Sequence, residues 1–469
     1  MRLHGGTKLG GPAATILIAL AMLAAALSPA GGTSAYDASG TDSDTGTASA
    51  GISYDPAGTY AGPGGTSPTN WYNRPNLAAA RVWDPADGRY VMRMFRTVAR
   101  SSHDSSALST INNQNAWMNV GDPSGWHLSS YDSLGNRASV ANFVQSGSTL
   151  YSFDIIARNK EGRIGPTIFY TPRRTSTDGG KHWTLSWAKI DMGTGWCPAS
   201  AQVYSYQGVI KLADGTWVMP VYFGHFGCPG STPRMATGLL TSTDLGKTWK
   251  KSAVPFNSTT VSYDEASVVQ RSDGRLAMVA RYEYSTDWKH GANMLGALTF
   301  RISRAPIRSK ADFAGATWSA PHITVPNSPL YANTLTIGAS PKFTKVGSRM
   351  MLTYGRPGNH VTWNSDGTAT TWSSAVNLNP NAPYGTPSCR FDKDTTTSHP
   401  PCQALGTSGY MAAVAIDGSA GWGYIMGDAC HVWSCEIPGT SSYADNWTDV
   451  AWKSGGANQK VWIVRFRSS

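Results

Sequence analysis

The chain has 469 residues, 41% of them apolar and 14% charged, with a formal net charge of +10. So much apolar sequence can bury a large core, which excludes a disordered or fibrous chain. No dense Lys/Arg run accompanies the positive charge, so nucleic acid is disfavoured as a partner; an anionic glycan or polysaccharide suits that charge better.

At the amino terminus, Arg2 and Lys8 precede an apolar run from Ala13 to Leu27 and the small residues Ser28-Pro29-Ala30. Charged, apolar and small residues in that order predict a secretory signal peptide over 1–35, cut after Ala30 or Ala35, and hence an extracellular protein. The run is short for a membrane span, and no other candidate span follows. Residues 36–52 are mainly Ser, Thr, Asp and Gly and read as a disordered spacer. One domain is expected over 53–469. Six cysteines in an exported chain suggest disulfides, and the nearest pairings are Cys197–Cys228, Cys389–Cys402 and Cys430–Cys435. Zinc is the rival reading, but no Cys-x-x-Cys pair occurs. No metal or other cofactor is expected.

Two interleaved series of motifs run through the domain. Asp87-Gly88, Ser146-Gly147, Asp214-Gly215, Asp273-Gly274, Val346-Gly347 and Asp417-Gly418 have the chemistry of hairpin turns between strands. Each precedes one Trp of the series Trp126, Trp183, Trp249, Trp318, Trp372 and Trp447, spaced by 54 to 75 residues. Within the second series, Ser176-Thr177-Asp178-Gly179-Gly180-Lys181-His182-Trp183 returns as Ser242-Thr243-Asp244-Leu245-Gly246-Lys247-Thr248-Trp249. In Ser-x-Asp-x-Gly-x-x-Trp, Ser and Asp can bond the turn's own amides. Gly accepts a positive φ, and Trp places a large ring beside the next unit. Degenerate copies stand at Asp312 to Trp318 and at Asn364 to Trp372, with fainter ones at Asp122 and Asp445. Repetition at this period predicts an all-β fold, a six-bladed β-propeller of four-stranded antiparallel blades. Trp183, Trp249 and Trp318 should be buried at boundaries between blades.

Glutamate is scarce: Glu161, Glu265, Glu283 and Glu436 are the only four. The segment from Tyr263 to Arg281 puts Glu265 before one strand and Arg281 after the next, across the Asp273-Gly274 turn. An antiparallel hairpin returns to its starting end, so the two should share one face. They could equally be an ordinary cross-strand ion pair.

The octapeptide is the Asp-box, and on it the chain resembles the sialidase (neuraminidase) superfamily of Asp-box, or BNR-repeat, β-propellers. The resemblance implies a secreted, retaining exo-glycoside hydrolase acting on terminal sialic-acid-type sugars. Glu265 and Arg281 are similar to a Glu and a triad Arg of that superfamily, and Arg356 in Leu352-Thr353-Tyr354-Gly355-Arg356 to its third triad Arg. The stretch Gly406-Thr407-Ser408-Gly409-Tyr410 resembles the segment carrying the Tyr nucleophile, with Tyr384 as the rival. Tyr72-Asn73-Arg74-Pro75 stands where the superfamily has Phe/Tyr-Arg-Ile-Pro, which suggests Arg74 for the first triad Arg. By position, Asp104 is the acid/base, with His103 beside it.

These residue types suit that reaction. Arginines clamp a substrate carboxylate bidentately, and a neutral Tyr avoids the repulsion a carboxylate nucleophile would meet. Two other readings stay open. A propeller exo-arabinanase, or a lyase acting beside a uronic acid, is favoured by the missing Ile at Arg74, by His103 and by the pair Glu265 and Glu283. A non-catalytic sugar-binding propeller is the other.

Overall fold

The computed structural model describes residues 52–55, 73–100, 112–121, 126–129, 139–158, 167–193, 202–205, 208–224, 235–258, 261–283, 297–319, 325–326, 328, 330–331, 335–336, 338–355, 358–378, 409–417, 421–429 and 460–468. The proposed signal peptide, the spacer up to residue 51 and all six cysteines lie outside them. The described residues are strands and turns, and their one helical piece is the 3-10 turn Ala311–Phe313. None of them forms a helix long and apolar enough to cross a membrane.

In the first sheet, Asn73–Asp84 pairs in turn with Arg89–Arg100, Asn112–Asn119 and His127–Leu128. A large ten-stranded sheet follows over residues 142–256. The middle sheet is Ser262–Gln270, Leu276–Glu283 and Ala297–Ile302. Next comes the penultimate sheet, Ala339–Val346, Arg349–Gly355, Asn359–Asn364 and Val376–Asn377. The closing sheet orders Ala412–Asp417, Trp422–Ala429 and Lys460–Ser468, and its outer strand is the amino-terminal Ile52–Asp55. Chain start and chain end are thus zipped into one sheet, with Ile52 opposite Ser468.

The described sheets do not divide into six separate four-stranded units. Residues 142–191 and 202–256 share one sheet because two edges find partners. Thr184–Asp191 pairs in parallel with Thr248–Phe256, and Ile156–Arg158 pairs with Gln202–Tyr204. Unpaired edge amides want partners, and here a neighbouring edge supplies them.

Apolar clusters join consecutive sheets. Phe95 and Val82 of the first sheet pack with Leu150 and Trp183 of the large one. Val218 and Leu239 meet Val268 and Met278 of the middle sheet. Val279 and Leu298 meet Phe343 and Leu352, and Val361 and Trp363 meet Met411 and Ile425. Finally Met426 and Ile463 return to Leu77 and Met94 of the first sheet. The packing therefore runs in a closed, propeller-like ring.

Five of the six repeated turns are where the sequence places them, and Gly418 of the sixth lies outside the described residues. Gly88, Gly147, Gly215, Gly274 and Gly347 all have positive φ and sit between first and second strands. In both Asp-boxes the Ser hydroxyl accepts the Gly amide, Gly180 to Ser176 at 2.8 Å and Gly246 to Ser242 at 2.9 Å. Asp178 and Asp244 accept the amides of His182 and Thr248. Burial pushes both carboxyls up, but these hydrogen bonds outweigh it and hold each below the usual range. The copy at Asn364 carries one extra residue, and the longer Asn side chain reaches the Ala369 amide at 3.0 Å. At the copy near Asp312 the carboxylate instead turns back to the amides of Arg308 and Ser309. That copy fails to bury its ring: Trp183, Trp249 and Trp372 are buried, whereas Trp318 is only half-buried.

An Asp-box also locks its turn onto earlier strands, those of the first sheet at Gly180 and those of the same large sheet at Gly246. Gly180 lies under the Phe95 ring and Gly246 under Phe153, so closely that a Cβ would fall 2.2 Å and 2.3 Å from ring carbons. Arg93 donates to Gly179 O at 2.9 Å and Arg173 to Leu245 O at 3.1 Å, taking the same turn carbonyl in each box. Gly180→Ala strains a φ of +86° and creates that clash, whereas Gly88→Ala strains a φ of +58° in open space. In chemical denaturation Gly180→Ala is expected to lose roughly 2–4 kcal/mol and Gly88→Ala about 1 kcal/mol. Equal losses would remove the inter-sheet contact from this account.

Candidate active site

Three first strands share an irregularity at their leading ends. Pairing skips two residues between Asn73 and Asn76, between Tyr263 and Ala266, and between Ala339 and Lys342. A bulge swings a strand start and re-aims its side chains. The skipped pairs are Arg74-Pro75, Asp264-Glu265 and Ser340-Pro341, so three sheets present irregular residues at one kind of end. Ser340, with φ of +46°, sits in the left-handed region.

Glu265 is buried at 4% exposure and held from three sides. The Tyr410 hydroxyl donates to its Oε1 at 2.5 Å, and the Ser340 amide donates to its Oε2 at 2.9 Å. Arg281 Nη1 stands 3.5 Å from Oε2 and donates to Asp264 Oδ2 at 3.3 Å. Both Asp264 and Arg281 are 1% exposed. A buried carboxylate with an O–H, an N–H and a guanidinium around it is fixed as an acceptor.

Tyr410 reaches this point through two glycines. Gly409 has φ of +88°, and its backbone abuts Gly355, where a Cβ would lie 2.4 Å from Gly409 Cα. The Tyr410 ring packs in a small apolar cluster with Tyr204, Tyr222 and Met235 of the large sheet. Tyr204 and Tyr222 stack with centroids 4.9 Å apart and planes 10° from parallel. The ring is thus wedged across the molecule while its hydroxyl stays on Glu265.

Glu265, Arg281 and Tyr410 are therefore brought together. Arg74 lies on the strand Asn73–Asp84, at its bulge. Asp104, His103, Arg356 and Tyr384 fall outside the described residues. Asp264 and Ser340 were not singled out in the sequence. Asp264 could have been, since it adjoins Glu265; the Ser340 amide carries no side-chain signal. Among the described residues no group of three His, Cys, Asp or Glu could hold a metal ion.

Residues 128–294 match the family described as a BNR repeat-like domain. A protein of unknown function from Dyadobacter fermentans shares the fold, at 15% identity and a TM-score of 0.52 over 86% of this chain and 96% of that one. An alpha-L-arabinofuranosidase of Fusarium graminearum, solved with arabinobiose, aligns at 13% identity and a TM-score of 0.47 over 86% and 96%. A Hadza microbial sialidase aligns at 15% and 0.44 over 78% and 64%. No curated protein matches the chain.

One buried cation near this site has no carboxylate partner among the described residues. Lys342, two residues beyond Ser340 on the strand Ala339–Val346, is 7% exposed, and burial alone pushes its amine down to about 8. Folded Lys342 releases its proton near 8 and the unfolded residue near 10.5, so between those values the unfolded state binds more protons. Stability must rise with pH across that window, and below it the full cost, about 3 kcal/mol, is present. Lys342→Met should denature later than the parent at pH 7, with the gap closing towards pH 10.5. A gap unchanged by pH would contradict this reading.

Proposed function

We propose that the chain is an exported, retaining exo-glycoside hydrolase in which Tyr410 is the nucleophile and Glu265 its general base. The observation that carries this is the 2.5 Å hydrogen bond from the Tyr410 hydroxyl to Glu265, a pair 145 residues apart in sequence. A phenol is a weak nucleophile until a base takes its proton, and Glu265 is already the acceptor. In the first step the Tyr410 oxygen bonds to the anomeric carbon and its proton passes to Glu265. The bond to the leaving oxygen breaks, and Asp104 protonates that oxygen. In the second step Asp104 takes a proton from water as the water oxygen attacks the anomeric carbon. The Tyr410–sugar bond breaks and Glu265 returns the proton, so two inversions give net retention. The first and closing sheets, the two halves of the large sheet, and the middle and penultimate sheets are read as six blades around this site.

Sialic-acid-type sugars are the first substrate reading, since a Tyr nucleophile spares a substrate carboxylate from like-charge repulsion, with Arg281, Arg356 and Arg74 as its clamp. One observation favours the neutral-sugar reading, an exo-arabinanase. Arg281 is already shared between Asp264 and Glu265, and these three described groups sum to one negative charge. A substrate carboxylate would meet that negative charge, whereas a neutral furanoside would not.

A panel of sialyl and arabinofuranosyl chromogenic glycosides, with an assay for unsaturated uronate products, tests both readings. On the substrate that turns over, Tyr410→Phe should lower kcat by roughly a thousandfold with little change in KM, because the lost group acts in the covalent step. An active Tyr410→Phe beside a dead His103→Ala would overturn the assignment.

A further inference from the structure

Tyr410 and Trp422 lie beyond opposite ends of the strand Ala412–Asp417, so the end of the closing sheet at Trp422 is remote from the candidate active site. Along their length the closing and first sheets pack face to face, with Leu77, Met94 and Met426 in one core. Strand residues two apart share a face. Arg81 and Trp83 therefore continue the packed face of Leu77 past the end of the core, as Tyr90 continues that of Met94. Trp422 and Tyr424 lie on the face of Met426, and Arg465, opposite Tyr424, shares it.

The same arrangement occurs on both sheets. Trp83 and Tyr90 meet edge to face with centroids 5.3 Å apart, and the Arg81 guanidinium lies 5.2 Å over the Tyr90 ring. Trp422 and Tyr424 meet edge to face at 5.9 Å, with the Arg465 guanidinium 4.6 Å over Trp422. Trp83 is 50% exposed and Tyr90 56%, whereas Trp422 and Tyr424 are half-buried. Packing alone would have taken these rings out of water, as it does their neighbours on the same face.

We propose that these two aromatic–arginine clusters bind a chain of acidic polysaccharide, apart from the Tyr410 site and independently of it. Sugar C–H faces stack on flat rings, and carboxylate or sulfate groups accept hydrogen bonds from arginine. Charge complementarity selects an acidic polymer: Arg81 and Arg465 lie over the rings of the two clusters, and the chain as a whole carries +10. Asp87 at the hairpin tip lies 3.5 Å from Arg89.

Affinity electrophoresis of the full chain in gels containing polygalacturonate or neutral pullulan tests this. Wild type should be retarded by polygalacturonate much more than by pullulan, and less as salt rises. Trp83→Ala and Arg81→Gln change exposed side chains and should melt like wild type, yet each should weaken the retardation constant by about tenfold. Tyr410→Phe should be retarded like wild type, so a failure here leaves the catalytic reading standing, and the reverse. No retardation by polygalacturonate, equal retardation of the Trp83 variant, or stronger retardation by pullulan would overturn the proposal. So would a dimer in size-exclusion chromatography that Trp83→Ala dissolves, since these rings would then take a protein.

Discussion

Everything in this fold hangs on aromatic rings that sit directly on glycine. Where Phe95 covers Gly180 and Phe153 covers Gly246, no Cβ fits between turn and ring. The turn can therefore be clamped against the preceding strands while Arg93 and Arg173 bind its carbonyls. Consecutive sheets pack in a ring through their apolar clusters, and the ring is closed by an amino-terminal strand on the last sheet. Only then can Glu265 in the middle sheet, Ser340 in the penultimate one and Tyr410 before the closing one converge. Three hydrogen-bonded groups from three sheets demand a rigid frame, because a shift of an ångström would part the Tyr410 hydroxyl from Glu265.

Local chemistry was legible in the sequence, and register was not. An Asp-box is eight residues whose hydrogen bonds close on themselves, so Ser176, Asp178 and Gly180 can be read without a partner strand. Hairpin arithmetic likewise puts Glu265 and Arg281 at one end, since both belong to a single turn of chain. Bulges are different: a skipped pair at Asp264-Glu265 exists only relative to the neighbouring strand. That is why the Ser340 amide on Glu265 had no sequence signal, and why Asp264 was marked only by its place beside Glu265. Trp318 shows the limit of motif matching, because Asp312 satisfies amides behind it and the turn never carries the ring fully inward. The blade count suffered similarly, since the parallel pairing of Lys189 with Thr248 merges strands that the turn spacing treats as separate.

Charge divides the molecule into unlike regions. At the candidate active site an arginine lies between two buried carboxylates, whereas the far ends of the first and closing sheets show arginines over aromatic rings. A buried arginine with two acidic neighbours is fixed in place and has less field left for a substrate anion. An arginine lying over an exposed ring keeps its donors for solvent or ligand. Which groups are matched inside the protein, and which remain outward, thus differs between the two regions.

The central claim is that the Tyr410 oxygen becomes bonded to the sugar during turnover. Trapping with a slow-deglycosylating fluorinated glycosyl fluoride of the accepted sugar, followed by proteolysis and mass spectrometry, tests it most directly. The account predicts one glycosyl adduct per chain on the peptide carrying Tyr410. An adduct on a carboxylate, or no adduct together with an inverted product anomer, would contradict it.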